Sequence, residues 1–469
     1  MENQAELVQS IVLWAVICVV VIRNQWSSKV PSVGLPFAYL LNLSMIHWVG
    51  GLIYTFPWYT AINPYLIQSG VSYANVAAGF RESTYGVIGF GLGSVLVAPW
   101  IYRNVQLGWL RDVPQKPDFK LPKICLLTGL FFFFALSPIL TAIPGLNAIS
   151  SAGVALLMVG LCLFSWKTWL LGDSQAFLFC LVFTCMLPLM TVLTMGFIGY
   201  GAVATTVVLI FIFNFYRPRW KVIVIGGLVF ILGLSVFVTY LRDRTEIREQ
   251  VWGGRAFESR IEQTLGTFRK FEIINPFNQQ HLEAIDIRLN QNTLVGQAVS
   301  YMEHKDKAFL EGETLWQAAT AIIPRFLWPD KPLFAGSGGL VSRYTGMAFA
   351  PGTSVGVGQV LEFYINFGTM GVLLGFLVFG TIIRIVDITS GHKLKYGNWL
   401  GFSTWFLPGL GMLQSGGALS EISASVAASI AFVIFINFIN KFLKTKAAQI
   451  PPPPSNTDFG SQMPSDKNQ

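Results

Sequence analysis

This chain is short of charge. Only 12% of its residues are Asp, Glu, Lys or Arg, against 53% hydrophobic, and the mean hydropathy is +0.55. That balance excludes an ordinary soluble domain and a disordered polyelectrolyte, and it places the chain among polytopic membrane proteins. Cysteine is scarce too. The five present (Cys18, Cys125, Cys162, Cys180 and Cys185) all fall in apolar runs, so neither a disulfide framework nor a cysteine metal site is indicated. HExxH, paired-cysteine and Ser/His/Asp patterns are missing, which leaves metalloprotease and serine hydrolase readings without support. No internal repeat of useful length is present. The opening "MENQAELVQS" lacks a basic n-region, so the first apolar run reads as a retained anchor, not a cleaved signal.

What is present is a series of apolar runs. A helical crossing needs about 20 apolar residues, and a scan at that length gives about eleven candidates: 7–22, 33–56, 85–101, 122–140, 148–165, 175–195, 200–216, 220–241, 357–383, 397–414 and 421–440. The expected fold is all-α, a polytopic integral membrane protein with one large extracytoplasmic loop. Residues 1–241 carry about eight of the helices, 242–356 form the loop, 357–443 carry about three more, and 444–469, led by "PPPP", read as a disordered cytoplasmic tail.

Orientation follows from lysine and arginine, which resist translocation. Arg23 and Lys29, then Arg103 to Lys123, then Lys167, then Arg217 to Lys221, then Arg384 to Lys395, then the C-terminal flank all fall on one side when crossings alternate. That side is assigned to the cytoplasm, with the N-terminus outside. Residues 242–356 then lie on the outer face. From Arg242 to Arg343 this loop has 13 basic and 13 acidic residues, so the net +8 belongs to the cytoplasmic side and implies no nucleic-acid partner.

Within the loop, "GRAFESRIEQTLGTFR" (254–269) sets Phe257, Ile261, Leu265 and Phe268 at helical spacing, with Arg255 and Glu258 on or near the other face. Such a helix lies flat on a leaflet or is a plain surface helix; its arginines suit phosphate, which guanidinium grips in a bidentate fork. In "ETLWQAATAIIPR" Thr314 and Gln317 read as a capping box. Pro324 ends helical geometry, so Arg325 emerges beyond it beside the rigid "WPDKP". The Gly-rich 334–359 stretch reads as a linker or a backbone cradle for phosphate. Glu362, near the end of an apolar run, is a candidate proton acceptor, or the partner of a nearby arginine. His281 and His304 are the loop histidines and would more simply be solvated; His47 reads as an interhelical hydrogen bond.

"IIPRFLWPDKP", followed about 30 residues later by "GQVLEFYINFG", resembles the bacterial O-antigen polymerase (Wzy-like) and oligosaccharide repeat-unit polymerase families over roughly residues 240–385. The resemblance implies a GT-C-like membrane body in the bacterial cytoplasmic membrane. The implied activity is elongation of a polysaccharide on an undecaprenyl diphosphate carrier at the outer face, without metal, cofactor or nucleotide sugar. Some relatives place a glycine eleven residues after a functional arginine, a spacing that Arg255 with Gly266 and Arg325 with Gly336 share. The implied roles are diphosphate or glycan binding by Arg255, Arg260, Arg325, Lys331 and Arg343, and deprotonation of the acceptor hydroxyl by Glu362, His281 or His304. The implied partners are the lipid-linked oligosaccharide, membrane lipid and a chain-length regulator. A ligase of the same layout and a lipid or polysaccharide transporter are the rival readings; a transporter should show interrupted helices.

Overall fold

Apolar residues recur at helical spacing through nearly the whole chain, and the structure, a computed structural model, is helical wherever it forms regular elements. It describes residues 2–27, 30–68, 70–105, 107–111, 113–140, 147–216, 221–323, 328, 337–349 and 355–449; among these no strand occurs. Among the described residues, seven helices are long and apolar enough to cross a membrane, or eight if the pair Gly226–Arg242 and Arg244–Trp252, bent by 68°, counts as one crossing. This is the architecture of a multi-pass membrane protein.

Several of the eleven expected runs take another form. Run 33–56 divides at His47 into helices Leu35–Ile46 and Trp48–Ile53. Run 397–414 yields a helix of only 13 residues, Trp399–Gly411, about 20 Å long against a hydrocarbon core of about 30 Å. Run 85–101 is the C-terminal part of a 32-residue apolar span, Tyr73–Asn104, whose first turns carry Arg81 and Glu82. The charged pair interrupted the apolar run, so the first part of the helix was invisible to hydropathy.

Glycine brings the central helices into contact, as expected where lipid supplies no hydrophobic drive and close packing must hold helices together. A β-carbon on Gly89 would stand 2.2 Å from the Leu373 carbonyl oxygen, and one on Gly93 would stand 2.1 Å from that of Leu377. The spans Tyr73–Asn104 and Gln359–Lys395 therefore run backbone against backbone. Helix Asn292–Lys305, expected in the loop, seats on the other part of the same span: a β-carbon on Gly296 would lie 1.7 Å from the Asn75 oxygen. A buried polar knot holds this crossing. His47 Nδ1 donates to Asn292 Oδ1 at 2.8 Å, and Asn292 Nδ2 donates to the His47 carbonyl at 2.7 Å. The Ser83 hydroxyl lies 2.9 Å from His47 Nδ1. The interhelical hydrogen bond expected of His47 is present.

At the end of the bundle remote from residues 242–356, Asp387 Oδ1 accepts from the backbone N–H groups of Val33, Gly34 and Leu35 at 2.8–3.0 Å, fixing the start of Leu35–Ile46. Arg384, fully buried, pairs with the same carboxylate.

Two loop expectations change. Thr314 and Gln317 form no capping box: the helix Glu313–Ala321 is capped by Gly312 at φ 97°, Thr314 is buried and accepts from Asn366 Nδ2, and Gln317 donates to Glu313. The Gly-rich stretch contains a helix, Ser337–Thr345, with Val341 and Tyr344 buried, so those residues are neither linker nor cradle.

Candidate functional site

The Gln359–Lys395 helix is broken. Phe367 (φ −144°, ψ 19°) and Gly368 (φ 63°, ψ −157°) leave helical geometry, and the second conformation is one that glycine alone adopts readily. A continuous helix would separate residues 363 and 375 by about 18 Å. Instead the Phe363 ring lies 2.6 Å from where a Gly375 β-carbon would stand, and the Phe363 and Phe376 rings are 5.6 Å apart. Residues 359–366 therefore fold back along the helix that follows, and Gln359 is carried into the bundle.

There the Tyr39 hydroxyl donates to Gln359 Oε1 at 2.8 Å, and Gln359 Nε2 donates to the carbonyls of Gln414 and Gly417 at 2.8 and 2.6 Å. Asn42 Nδ2 reaches the Leu413 carbonyl at 3.3 Å, and the Gly358 N–H reaches that of Gly416 at 3.2 Å. Residues 412–418 join two helices, and these amides replace the helical bonds that their carbonyls lack. The turn of the fold-back is closed from residues 310–312: the Leu310 N–H donates to the Ile365 carbonyl at 2.9 Å, and the Gly312 N–H donates to Asn366 Oδ1 at 3.0 Å.

Glu362 is 2% exposed and its Oε2 accepts from the Leu419 N–H at 2.7 Å, so it sits on the positive end of the final helix. Among the described residues no arginine pairs with it. Its carboxylate neighbour is Glu421, which is exposed.

Beside this broken centre runs an apolar cavity of about 2540 Å³. Its walls extend along the bundle, from Trp26 and Trp169, with Arg23 and Asp173 beside them, at one end to Phe197 and Phe237 at the other, and Gln414 to Gly417 and Glu421 form its polar side near the broken centre. Helix Phe257–Arg269 closes the second end: Ile261, Leu265 and Phe268, on the apolar face read from the sequence, line the cavity.

The arginines at that end were only partly anticipated. Arg248 lies over the rings of Phe197 (4.1 Å) and Trp252 (5.1 Å) and reaches the Gly196 carbonyl. Arg244, hydrogen-bonded to Tyr240, is near enough to Arg248 and Arg288 to be repelled by both. Three cations thus gather beside the cavity mouth, and repulsion among them favours an anion between. The signal was in the sequence, as "RDRTEIRE" just after an apolar run, but the 39 residues between Arg248 and Arg288 hid the convergence. Leu289, next to Arg288, lines the cavity, and Gln291 Nε2 lies 3.0 Å from a Gly416 β-carbon position, so one turn joins the arginines to the broken centre.

The other expected site residues are dispersed. Arg255 is exposed; its carbonyl accepts from Arg260 Nε at 2.9 Å, which holds these two together. Arg343 is exposed beside Tyr344. Arg325 and Lys331 lie outside the described residues. His281 is committed at both nitrogens: Nδ1 accepts from the Asn275 N–H at 3.1 Å, so Nε2 carries the proton to Glu272 at 3.0 Å. Hydrogen bonds from His281 and then Arg242 hold the Glu272 carboxyl below its ordinary pKa. His304 is exposed at a helix end, with Nδ1 bonded to the Ser300 carbonyl. Asp286, unmarked in the sequence, is 3% exposed; burial raises its pKa although Tyr59, Asn290 and Tyr54 all donate to it. Among the described residues no group of three His, Cys, Asp or Glu side chains is placed to hold a metal.

Residues 114–447 match a family described as a domain of unknown function, DUF8712. No curated protein and no solved structure matches the chain. Since the match spans well over half of its length, from the lead-in to helix Leu121–Phe131 through the broken helices to the final one, the chain belongs to the DUF8712 family.

Proposed function

We propose that this protein is a glycan transferase of the cytoplasmic membrane that joins lipid-linked oligosaccharide repeat units, a polysaccharide polymerase acting at the end of the bundle that carries residues 242–356. The observation that carries this reading is the apolar cavity with arginines at its mouth. A polyprenyl diphosphate is a long hydrocarbon with two charged phosphates, and this site offers a hydrocarbon channel with guanidinium groups next to the residues that line one end.

In this reading Arg244, Arg248 and Arg288, with Arg255 and Arg260 on the covering helix, hold the diphosphate and stabilise the charge that grows on it as the anomeric C–O bond breaks. The acceptor hydroxyl of the second glycan loses its proton to the Glu362 and Glu421 pair. Glu421 is the member open to the cavity; Glu362 supports it from the helix end. Direct displacement inverts the anomeric centre. His281, bonded through both nitrogens, positions the loop.

The direct test is purified protein supplied with lipid-linked oligosaccharide from its own host, with product masses followed over time. A ladder spaced by one repeat unit supports polymerase action. A single addition to a different acceptor would make it a ligase.

The broken helices favour one second reading, a lipid or saccharide transporter, since interrupted helices meeting inside a bundle are how such proteins build binding sites. Unchanged masses, with the same lipid crossing leaflets in proteoliposomes, would establish that reading instead.

A further inference from the structure

The polar side of the large cavity holds more than the proton transfer proposed above requires. Helix Trp399–Gly411 is about 20 Å long in a hydrocarbon core of about 30 Å, so the residues that follow it lie at membrane depth. The chain turns tightly there: the Gly417 N–H donates to the Gln414 carbonyl at 3.3 Å, and the Glu421 N–H donates to that of Ala418 at 3.0 Å. These turns bring the Gln414 and Glu421 side chains together at Gly417. A β-carbon on Gly417 would stand 3.0 Å from Glu421 Oε2 and 3.4 Å from Gln414 Oε1.

Both residues are exposed, and both line the cavity. The Gln414 carboxamide has no hydrogen-bond partner among the described residues; the fold holds the residue by its backbone, whose carbonyl accepts from Gln359 Nε2 at 2.8 Å. Glu421 receives the Ala418 N–H on Oε2 at 3.3 Å, which leaves Oε1 open. Asn42 stands beside them. It is 7% exposed, lines the same cavity and donates to the Leu413 carbonyl, while its Oδ1 has no donor among the described residues. Amide groups left unpaired at membrane depth are unfavourable, which argues for a polar ligand. With Glu362 and Glu421 as neighbours, that ligand is not the diphosphate, because carboxylates repel an anion. A carboxylate accepts and a carboxamide both donates and accepts, a combination that matches adjacent hydroxyl groups.

We infer that Asn42, Gln414 and Glu421 form the subsite for the acceptor sugar, and that Gln414 sets its specificity. The Gln414 carboxamide and Asn42 Oδ1 hold the hydroxyls next to the one that Glu421 deprotonates, so a sugar lacking them leaves these groups unpaired and is rejected. The pinned turn fixes the Gln414 backbone before the sugar arrives, which lowers the ordering cost of binding. This inference rests on the transfer reading above, and binding can be measured apart from transfer.

The test titrates full-length protein in nanodiscs by calorimetry with the repeat-unit oligosaccharide released from the host's carrier lipid by mild acid, and separately with magnesium chloride. Gln414→Met keeps the length of the side chain and removes its polar atoms. Because the carboxamide has no protein partner, the unfolding temperature should not move, while affinity for the oligosaccharide should fall by at least about tenfold. With the oligosaccharide supplied as acceptor, the same variant should raise KM and leave kcat nearly unchanged; a structural role would lower kcat and the unfolding temperature together. Absence of binding by the parent, equal affinity in parent and Gln414→Met, or binding of magnesium in place of the sugar overturns the inference, even where a product ladder forms. A parent that binds the sugar and never extends it, with Gln414→Met weakened, sustains the subsite and removes the transfer reading.

Discussion

Phe363 packs on Gly375, twelve residues further along what hydropathy reads as one helix, and its carbonyl oxygen lies 2.6 Å from where a Gly371 β-carbon would stand. This contact is the fold-back seen from inside. Gly371→Ala drives a methyl into a backbone oxygen and should cost about 1–3 kcal/mol, as overpacking does. The measurement is thermal unfolding in detergent; a variant as stable as the parent would mean that residues 359–366 do not return along the helix.

The crossing of Asn292–Lys305 over Tyr73–Asn104 should be equally sensitive. Asn292→Ala removes the acceptor of the buried His47 Nδ1–H and should destabilise by about 1–3 kcal/mol. Gly296→Leu, with 1.7 Å available, should abolish folded protein altogether, read as loss of the monodisperse peak in size-exclusion chromatography.

Relief of repulsion predicts opposite signs in one variant. Arg244 is disfavoured first by partial burial and then by its neighbours Arg288 and Arg248, so Arg244→Gln should unfold at a slightly higher temperature in the absence of lipid. The same change should weaken binding of polyprenyl diphosphate by about tenfold, the worth of one charge-assisted contact. Equal affinity in parent and variant would remove the arginine cluster from the proposed site.

Glu272 gives a pH signature. Its folded pKa lies below the ordinary 4.5, with His281 and then Arg242 as causes. The unfolded chain therefore binds the proton more readily, and the stabilisation is complete above the ordinary value and fades as pH falls through the lower one. Glu272→Gln should be less stable than the parent at pH 7, with the gap shrinking below about pH 4. A gap independent of pH would mean that the carboxylate charge is not what matters. Asp286 runs the other way: burial raises its pKa, so its contribution falls as pH climbs from the ordinary carboxylate value through the raised one.

Much of the bundle was legible because a bilayer imposes a simple rule, about 20 apolar residues per crossing. That rule found Ser174–Met195 and Ile198–Tyr216 nearly to the residue. It failed wherever polar groups are satisfied inside the bundle. Arg81 and Glu82 cut Tyr73–Asn104 short. The fold-back at Gly368 is invisible because both of its arms are apolar, and apolar composition carries no direction. The site was harder still. Arg255 and Arg260 were legible on an amphipathic helix, whereas the cluster of Arg244, Arg248 and Arg288 arises from a bend and a return that no local pattern encodes. Glu362 stood out in the sequence as an ionisable residue at the end of an apolar run, but that it receives a backbone N–H from residue 419 is a tertiary fact.

The amides that satisfy residues 412–418 come from far away in the chain: Asn42 lies on an early helix, and Gln359 is itself held by Tyr39. Translation therefore delivers the partners in a fixed order, with Tyr39 and Asn42 inserted long before the broken segments emerge. A fragment limited to residues 114–447 would retain the stretch shared with the family but lose Tyr39, Asn42, His47, Ser83 and the glycines of Tyr73–Asn104. Such a truncation would have to lay residues 412–418 into hydrocarbon with the Asn42 amide gone and Gln359 no longer held by Tyr39. The unit that matures in the membrane is therefore larger than the segment by which the family is recognised.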